Sequence, residues 1–407
     1  MSKQLAINGG PKAFSQATLD RVPSWPPIYP RVPDMLKKVY TSRAWSFNSK
    51  AEQELCSAFA AYHDAERGVF MVNGTVTLEC ALAALGVGKG DEVIVPALTW
   101  LATAMAAVYL GAKPVFVDIE PDTLCLDPKK LKTAITKKTK AIIPVHIYGS
   151  MADMEAILDI AGKHGIPIIE DCAHAHGGKW AGKGVGSLGA IGSFSFQESK
   201  PLPSGEGGMC ITNDSDLAGK LYRLKHIGYD FVSGQGHAGS SPQKGLVCHN
   251  YRSTGFEATI LLESLKYLRE QTQKRDDNAK YLKTLLEDIP GIRIQSRGRR
   301  ADVQSYYSLG FLFDLPQFNQ ISLERLLEVF NAEGLGLRKT YGPVYKHLLW
   351  NIPSSMYRKA DACSVCEKAC SETALTLMHN WLLTDKKLMC TIAKVMQKVW
   401  NYRKELC

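Results

Sequence analysis

Glu92-Val93-Ile94-Val95-Pro96 is a short, nearly apolar run that precedes a helical pattern from Thr99 to Leu110. Three similar runs follow it along the chain, from Pro114 to Asp118, from Ala141 to Val145 and from Pro167 to Asp171. Strands that are apolar on both faces are typical of a parallel sheet covered by helices. The alternation of these strands with helical segments therefore predicts an α/β fold with a mainly parallel sheet.

The rest of the chain predicts three parts: an extended N-terminal arm (1–40), a large domain (41–286) and a smaller C-terminal α+β domain (287–407). Proline and aromatic residues from Trp25 to Pro30 indicate the arm, which we expect to pack against another surface, for example that of a partner subunit. The remaining predicted elements are strands at 190–196, 208–212 and 305–313, helices at 75–85, 128–135, 153–164, 255–286, 322–333, 361–376 and 386–403, and a loop at 242–253.

The chain has 407 residues, of which 45% are hydrophobic and 22% charged, as in an ordinary globular protein. Its net charge of +9 is spread along the chain without a nucleic-acid-binding module, which favours a solvated basic surface. Eleven scattered cysteines, an odd number, indicate a reducing, cytoplasmic setting rather than a disulfide framework. We expect neither a signal peptide at Met1 to Phe14 nor a membrane span.

One lysine lies in a distinctive setting between Ser193 and Gly208, where a strand ends, hydroxyl residues follow, and Lys200 precedes a glycine-rich turn. Ser195 and Ser199 could donate hydrogen bonds to a phosphate, and the glycines allow close approach of the backbone. A lysine whose pKa is lowered by its surroundings can form a Schiff base with an aldehyde. Although most lysines are solvated surface residues, this context favours a reactive one.

Asp171 comes directly after an apolar strand, at the edge of the sheet where ligands bind in open α/β folds. The alternative is that it caps the next helix. His174 and His176 would share a face of a strand and could suggest a metal site. No further ligand cluster accompanies them, so we predict no metal.

Asn73-Gly74-Thr75 precedes a predicted helix, and the free N–H groups at a helix N-terminus suit a phosphate. A plain helix cap would have the same sequence. Trp100 follows a strand end and could stack on an aromatic ring, or belong to the core. Cys363, Cys366 and Cys370 have a spacing similar to that of iron–sulfur ligands, but they lie in a helical pattern without a matching fourth cysteine, which favours buried free thiols.

Taken together, these motifs resemble the DegT/DnrJ/StrS family of sugar aminotransferases, a branch of the fold-type I enzymes that use pyridoxal 5'-phosphate (PLP). The resemblance extends from Leu5 to beyond His379. It implies PLP as the cofactor, L-glutamine or L-glutamate as the amino donor, and a keto-sugar or keto-cyclitol as the acceptor. Phe194 to Lys200 and Ala173 to Gly177 look most like the L-glutamine:scyllo-inosose aminotransferases and the 3-amino-5-hydroxybenzoate synthases.

The resemblance also implies roles for individual residues. Lys200 corresponds to the lysine that binds the cofactor covalently and moves protons, and Asp171 to the acid at the pyridine nitrogen. The other implied cofactor contacts are the phosphate donors Gly74, Thr75 and Ser195, the stacking Trp100, the ring neighbour His174, and Asn250, which reaches the phosphate of the neighbouring subunit. This last match implies a homodimer with shared active sites.

Three stretches depart from the family pattern: Pro201 to Ser204, Thr77 in place of a usual alanine, and Trp45 to Lys50 without the usual glycines. They could border the substrate, so the acceptor stays open. An aromatising dehydratase of the aminohydroxybenzoate type and a non-catalytic binding protein on the same fold are the alternatives. A nicotinamide dehydrogenase is disfavoured, because Gly182 to Gly189 lacks a strand-to-helix setting.

Overall fold

The computed structural model describes residues 4–231 and 245–406. Its strands are β1 (Arg67–Met71), β2 (Glu92–Pro96), β3 (Lys113–Val117), β4 (Thr139–Ile142), β5 (Ile169–Asp171), β6 (Lys179–Trp180), β7 (Lys183–Gly184), β8 (Ile191–Ser195), β9 (Gly208–Thr212), β10 (Ile292–Ile294), β11 (Ala301–Val303), β12 (Ser308–Phe313), β13 (Arg338–Lys339), β14 (Arg358–Lys359) and β15 (Ala374–Met378).

The α-helices are α1 (Gln16–Leu19), α2 (Val32–Ser42), α3 (Lys50–Tyr62), α4 (Gly74–Ala84), α5 (Ala102–Tyr109), α6 (Pro128–Ala134), α7 (Met154–Lys163), α8 (Ser215–Lys225), α9 (Gly255–Leu286), α10 (Leu323–Ala332), α11 (Ser364–Lys368) and α12 (Lys386–Asn401). Most predicted elements lie within a few residues of these bounds. The predicted loop at 242–253 is described only from Gly245, and its first three residues lie outside the described residues.

The main sheet combines two four-stranded groups, β1-β9-β8-β5 and β4-β2-β3-β14. Parallel bridges from Ile142 to Ile168 and from Val145 to Asp171 join the groups side by side. Strand β9 pairs antiparallel with both of its neighbours, whereas the pairs within the second group and the β5–β8 pair are parallel. The mainly parallel sheet is therefore confirmed, and the carboxyl ends of β5 and β8 open onto the same edge.

Two hydrophobic clusters fill the interior. The larger one covers both faces of the main sheet, and the smaller one lies between α10, α12 and the antiparallel sheet β10-β12-β15-β13. Helix α9 connects them, because Leu261 belongs to the larger cluster and Leu282 to the smaller. The predicted domain boundaries remain a prediction; strand β14, which follows residue 287, pairs with β3 of the main sheet.

The N-terminal arm packs on its own chain. Leu5 and Phe14 are buried in the smaller cluster, and the amides of Ala6 and Ala13 donate to the Glu333 carboxylate at 2.9 and 3.2 Å. The prediction of an extended conformation is wrong for the last part of the arm, where helix α2 begins at Val32. A proline near its start fits this helix, because an N-terminal turn does not need the missing N–H.

The predicted helix at 361–376 is also wrong in part. Helix α11 ends at Lys368, a single π-turn follows, and Ala374–Met378 is strand β15. This strand pairs with β12 along its whole length, so tertiary pairing outweighs the local helical pattern. The alternation of Leu375 and Leu377 with Ala374 and Thr376 is compatible with a strand, but over so few residues it does not distinguish a strand from a helix.

Candidate active site

A cavity of about 590 Å³ opens at the carboxyl edge of the main sheet. Its walls come from the ends of β5 and β8, the beginning of α4, the segment before α5, and two loops of the C-terminal third. It is lined by Val72, Asn73, Gly74, Thr75, Leu78, Thr99, Trp100, Ala102, Thr103, Val145, Asp171, Ala173, His174, Ser195, Gln197, Ser199, Lys200, Glu206, Tyr307 and Tyr341.

Lys200 reaches this cavity from the loop after β8, and its backbone is held on both sides. The Trp25 indole Nε1 donates to the Lys200 carbonyl at 3.0 Å, and His379 Nε2 lies 3.1 Å from the Ser199 carbonyl. Burial lowers the pKa of the Lys200 amine, and the nearby Tyr307 and Asp171 oppose that shift only in part. A buried lysine with a lowered pKa carries more of the neutral, nucleophilic amine at neutral pH.

Asp171 lies at the end of β5 and is buried, with 5% of its surface exposed. Its carboxylate accepts a hydrogen bond from the Thr103 hydroxyl at 2.8 Å and another from the Ala173 amide at 3.2 Å. Burial raises its pKa, although these hydrogen bonds oppose the shift. A buried carboxylate in this position gains most from a cationic ligand group.

The N-terminus of α4 forms one end of the cavity. Asn73 caps the helix, because its side chain accepts from the Val76 amide at 2.9 Å. The first amides of a helix have no acceptor within it, so those of Gly74 and Thr75 point out of its end. A Cβ on Gly74 would lie 2.6 Å from the Cβ of Ser195, so only glycine allows this close approach. Two amides and one hydroxyl thus form an anion cradle.

Aromatic residues form the opposite wall. The imidazole of His174 stacks on the ring of Tyr307 with a centroid distance of 4.1 Å and an interplanar angle of 10°. Its Nδ1 accepts from the Tyr148 amide at 3.2 Å, and its Nε2 lies 3.4 Å from the Tyr341 hydroxyl. Burial holds the pKa of His174 well below its usual value, and Lys200 adds to the effect. His174 is therefore neutral at pH 7.

The structure brings together seven of the eight residues that the sequence singled out as cofactor contacts. The exception is Asn250, which is exposed and does not line the cavity of its own chain. Trp100 lines the cavity with 43% of its surface exposed and contacts Tyr341 edge-on at a centroid distance of 5.3 Å.

Several other expectations need revision. The Ser199 hydroxyl donates to Gln197 Oε1 at 2.6 Å, so its hydrogen is not directed to the anion cradle. Thr77 lies on the buried side of α4 and does not border the cavity; its hydroxyl bonds to the Gly74 carbonyl and to Ser193, both at 2.7 Å. The stretches at 45–50 and 201–204 do not line the cavity either.

Sequence reasoning did not identify Tyr307, Tyr341 or Thr103 as parts of the site. Thr103 follows Trp100, which lies just after a strand end, by about one helical turn. That spacing could have indicated that the two residues share one face of the helix and so one site. The two tyrosines come from loops that are distant in sequence and pack against the larger cluster, so only the tertiary fold brings them to the cavity.

Metal ligation has one candidate among the described residues, the group formed by His146, Glu170 and Cys172, whose ligand atoms lie within 4.8 Å of one another. Glu170 already accepts from three backbone amides, those of Gly186, Leu188 and Gly189, besides its contact with His146. We interpret this group as a brace for the loop before β8. The thiols at 363, 366 and 370 are free, and the first two are buried, as expected.

The cavity suits PLP in its chemistry. The anion cradle made by Gly74, Thr75 and Ser195 matches a phosphate, the Asp171 carboxylate matches a protonated pyridine nitrogen, and the Lys200 amine matches an aldehyde. The fold and this combination of groups define a PLP-dependent transferase of fold type I.

The chain belongs to the DegT/DnrJ/EryC1/StrS aminotransferase family, whose model matches residues 30–397. It is 36% identical to the L-glutamine:2-deoxy-scyllo-inosose aminotransferase of Streptoalloteichus tenebrarius, over 100% of both chains. It is 35% identical to the L-glutamine:scyllo-inosose aminotransferase of Streptomyces griseus, again over 100% of both chains. The chain is therefore a PLP-dependent aminotransferase, and the recognition of this family from its motifs is confirmed.

Solved structures agree with this placement. A 3-amino-5-hydroxybenzoic acid (AHBA) synthase matches with a TM-score of 0.82 and 31% identity, over 93% of this chain and 98% of that one. An aminotransferase from Psychrobacter cryohalolentis matches with a TM-score of 0.84 and 27% identity, over 94% of this chain and 100% of that one. Within the described residues, no helix is both long and apolar enough to cross a membrane.

Proposed function

We propose that this enzyme transfers the amino group of L-glutamine to the ketone of a cyclitol of the scyllo-inosose type. The observation that carries this proposal is the full-length similarity, at 35–36% identity, to relatives named for that donor and for that acceptor or its 2-deoxy form. L-Glutamate as the donor and a keto-sugar as the acceptor are the alternatives that the experiments below separate.

We assign the cofactor contacts as follows. The amides of Gly74 and Thr75 and the Ser195 hydroxyl would hold the phosphate, Asp171 the pyridine nitrogen, and Lys200 the aldehyde carbon. Trp100 would cover one face of the ring, and the neutral His174 would lie near its phenolic oxygen. When bound in this way, PLP acts as an electron sink that stabilises negative charge at the donor carbon.

Lys200 is proposed to have two tasks in turn. It anchors the cofactor first, and once the donor amine replaces it, its Nζ is free to take a proton from the donor Cα and to return that proton later. Its lowered pKa supports this use, because it increases the fraction of neutral amine that can accept a proton. Asp171 supports both stages through its negative charge at the cofactor nitrogen.

The remaining walls suit an uncharged, hydroxyl-rich acceptor. The hydroxyls of Tyr307 and Tyr341 and the amide of Gln197 line the cavity, and Glu206 is the one carboxylate besides Asp171 among the described lining residues. Arginine is absent from the described lining, whereas a phosphate-bearing acceptor favours arginine as a bidentate partner. These groups fit a polyol that hydrogen-bonds through its edge and packs its ring carbons on aromatic rings.

A dehydrating, aromatising reaction is the second candidate. It is favoured by the 31% identity to the AHBA synthase, which covers nearly the whole of that chain. The two functions differ in product, since one gives a saturated amino-cyclitol and the other an aromatic amine.

The test is the visible absorption spectrum of the purified protein after incubation with PLP, before and after addition of L-glutamine without an acceptor. We expect a visible band that bleaches with glutamine and returns on addition of scyllo-inosose or 2-deoxy-scyllo-inosose. Bleaching with glutamate alone would change the donor, and formation of an aromatic product would select the second candidate. Absence of a band would contradict the assignment of Lys200.

We also propose a homodimer with shared sites, in which Asn250 reaches the partner's phosphate. The exposure of Asn250 outside its own cavity supports this. Lys200→Ala and Asn250→Ala variants, each of low activity, should regain activity when refolded together, because a mixed dimer rebuilds one intact site. Mixed samples no more active than their components would contradict a shared site. The ten described cysteines are free, which supports our further proposal of a cytoplasmic location.

A further inference from the structure

Tyr307 makes more contacts with the catalytic machinery than any role assigned above explains. It is half-buried between β11 and β12, and its amide donates to the Tyr148 carbonyl at 3.0 Å. The Lys200 Nζ lies over its ring, 4.4 Å from the centroid, while His174 stacks on the same ring. The face of a tyrosine ring attracts an ammonium group, so the ring keeps Nζ inside the cavity.

The Tyr307 hydroxyl lies in a hydrogen-bond chain whose direction follows from its two ends. At one end, the Tyr148 amide donates to Nδ1 of the neutral His174, so the ring proton is on Nε2 and is directed to the Tyr341 oxygen. Burial raises the pKa of Tyr341 well above its usual value, so Tyr341 keeps its own proton and donates to Tyr307.

At the other end, both the amide and the hydroxyl of Ser199 donate to Gln197 Oε1, at 2.9 and 2.6 Å. Because Ser199 has a single hydroxyl hydrogen, its oxygen must accept from Tyr307, 3.0 Å away. The chain therefore runs from His174 through Tyr341, Tyr307 and Ser199 to Gln197, and it passes the residue that directly precedes Lys200.

We propose that Tyr307 is a positioning residue for Lys200: its ring holds the amine in place, and its hydroxyl, which the hydrogen-bond chain fixes in position, favours the charged amine. The proposal rests on the proposed role of Lys200 as the reactive amine. Burial disfavours ionisation of Tyr307, but the Lys200 charge and the hydrogen bond from Tyr341 favour it, and the pKa of Tyr307 is lowered. In return, the phenol favours the charged form of Lys200.

The matched variants are Tyr307→Phe, which keeps the ring and removes the hydroxyl, and Tyr307→Leu, which removes both. Tyr306→Phe is the control, because the Tyr306 hydroxyl interacts with Arg297 and lies outside the cavity. The readout is the acetylation of Lys200 by acetic anhydride in the protein without PLP, followed against pH by peptide mass spectrometry. This readout reports the amine itself and does not depend on catalysis.

In Tyr307→Phe we expect the midpoint of Lys200 acetylation to move down by about one pH unit, a tenfold gain in neutral amine below the midpoint. Tyr307→Leu should move it at least as far, and Tyr306→Phe not at all. The glutamine half-reaction should then be slower in Tyr307→Leu than in Tyr307→Phe, because the ring orients the amine.

An unchanged midpoint in Tyr307→Phe would overturn the proposal, even if its melting temperature fell, because a merely structural role alters stability without altering the amine. The proposed function fails separately, since it requires the wild-type protein to bind PLP and to respond to glutamine. The acetylation midpoint is informative in either case.

Discussion

The two ends of the cavity differ in how the chain builds them. The cofactor end takes its groups from residues at strand ends and a helix start within the main sheet, among them Gly74, Asp171 and Lys200. The aromatic end takes Tyr307 and Tyr341 from loops beyond α9, and both rings pack against the larger cluster. The first end is fixed by a sheet, whereas the second depends on how the C-terminal third packs on it.

This difference suggests a division of labour. Backbone amides and a buried carboxylate at the ends of parallel strands offer an invariant setting for a cofactor, because the sheet fixes their positions. Loop side chains can change without disturbing that setting, so acceptor choice belongs to them. Variants of the cofactor end should therefore abolish cofactor binding or catalysis. Variants outside that end should have smaller effects.

Lys200→Ala is expected to have the largest effect. The variant should lose transamination by at least about 10³-fold, because it lacks both the anchoring amine and the base. It should still bind PLP without a covalent link, which dialysis followed by spectroscopy distinguishes. Lys183→Ala, which removes an exposed lysine, is the control. Ordinary turnover by the Lys200 variant would remove the basis for placing the chemistry at this end.

Gly74→Ala tests the anion cradle. The added Cβ would lie 2.6 Å from the Ser195 Cβ, so α4 and β8 must separate at the phosphate position. We expect the Kd for PLP to rise at least tenfold, about 1.4 kcal/mol, in a fluorescence titration. Gly162→Ala is matched, because nothing lies within 4 Å of its added Cβ. Equal Kd values in the two variants would exclude this helix end as the phosphate site.

Sequence patterns singled out residues that meet at the cofactor end, because the signals there are local. A strand end, a cap and a glycine turn are each encoded by a few adjacent residues, and a parallel sheet brings their carboxyl ends together. Tyr307 has no such local signature, because nothing in its buried neighbours Tyr306 and Ser308 marks it as functional. Its role depends on contacts with His174 and Lys200, which lie far away in sequence. The same reason explains β15, whose strand conformation depends on pairing with β12.

Thr103→Val tests the cofactor end through the pH dependence of PLP binding. Burial raises the pKa of Asp171 and the Thr103 hydroxyl opposes this, so removing that hydroxyl should raise the pKa further. PLP binding requires the carboxylate and is lost as pH falls through this pKa, so the loss should begin about one pH unit higher in the variant. The measurement is the Kd for PLP against pH.

The control for this shift is Thr99→Val, one hydrogen bond farther from the carboxylate. Thr99 bonds to Thr103 at 2.8 Å, and Thr103 in turn donates to Asp171. We expect a smaller displacement in the same direction. If both variants follow the wild-type curve, the Asp171 carboxylate does not control cofactor binding.

Thr77→Ala should have the smallest effect on activity. It tests whether the packing beneath the site can be altered without altering the site itself. The substitution leaves the buried Ser193 hydroxyl without its partner, which costs about 1–3 kcal/mol of unfolding free energy in a urea titration. The double variant Thr77→Ala/Ser193→Ala removes both hydroxyls and should recover part of that cost. Because Thr77 does not line the cavity, KM for the ketone should stay unchanged in both variants. A changed KM at unchanged stability would mean that residues on the buried side of α4, outside the cavity wall, also affect acceptor binding. The division between the two ends would then no longer hold.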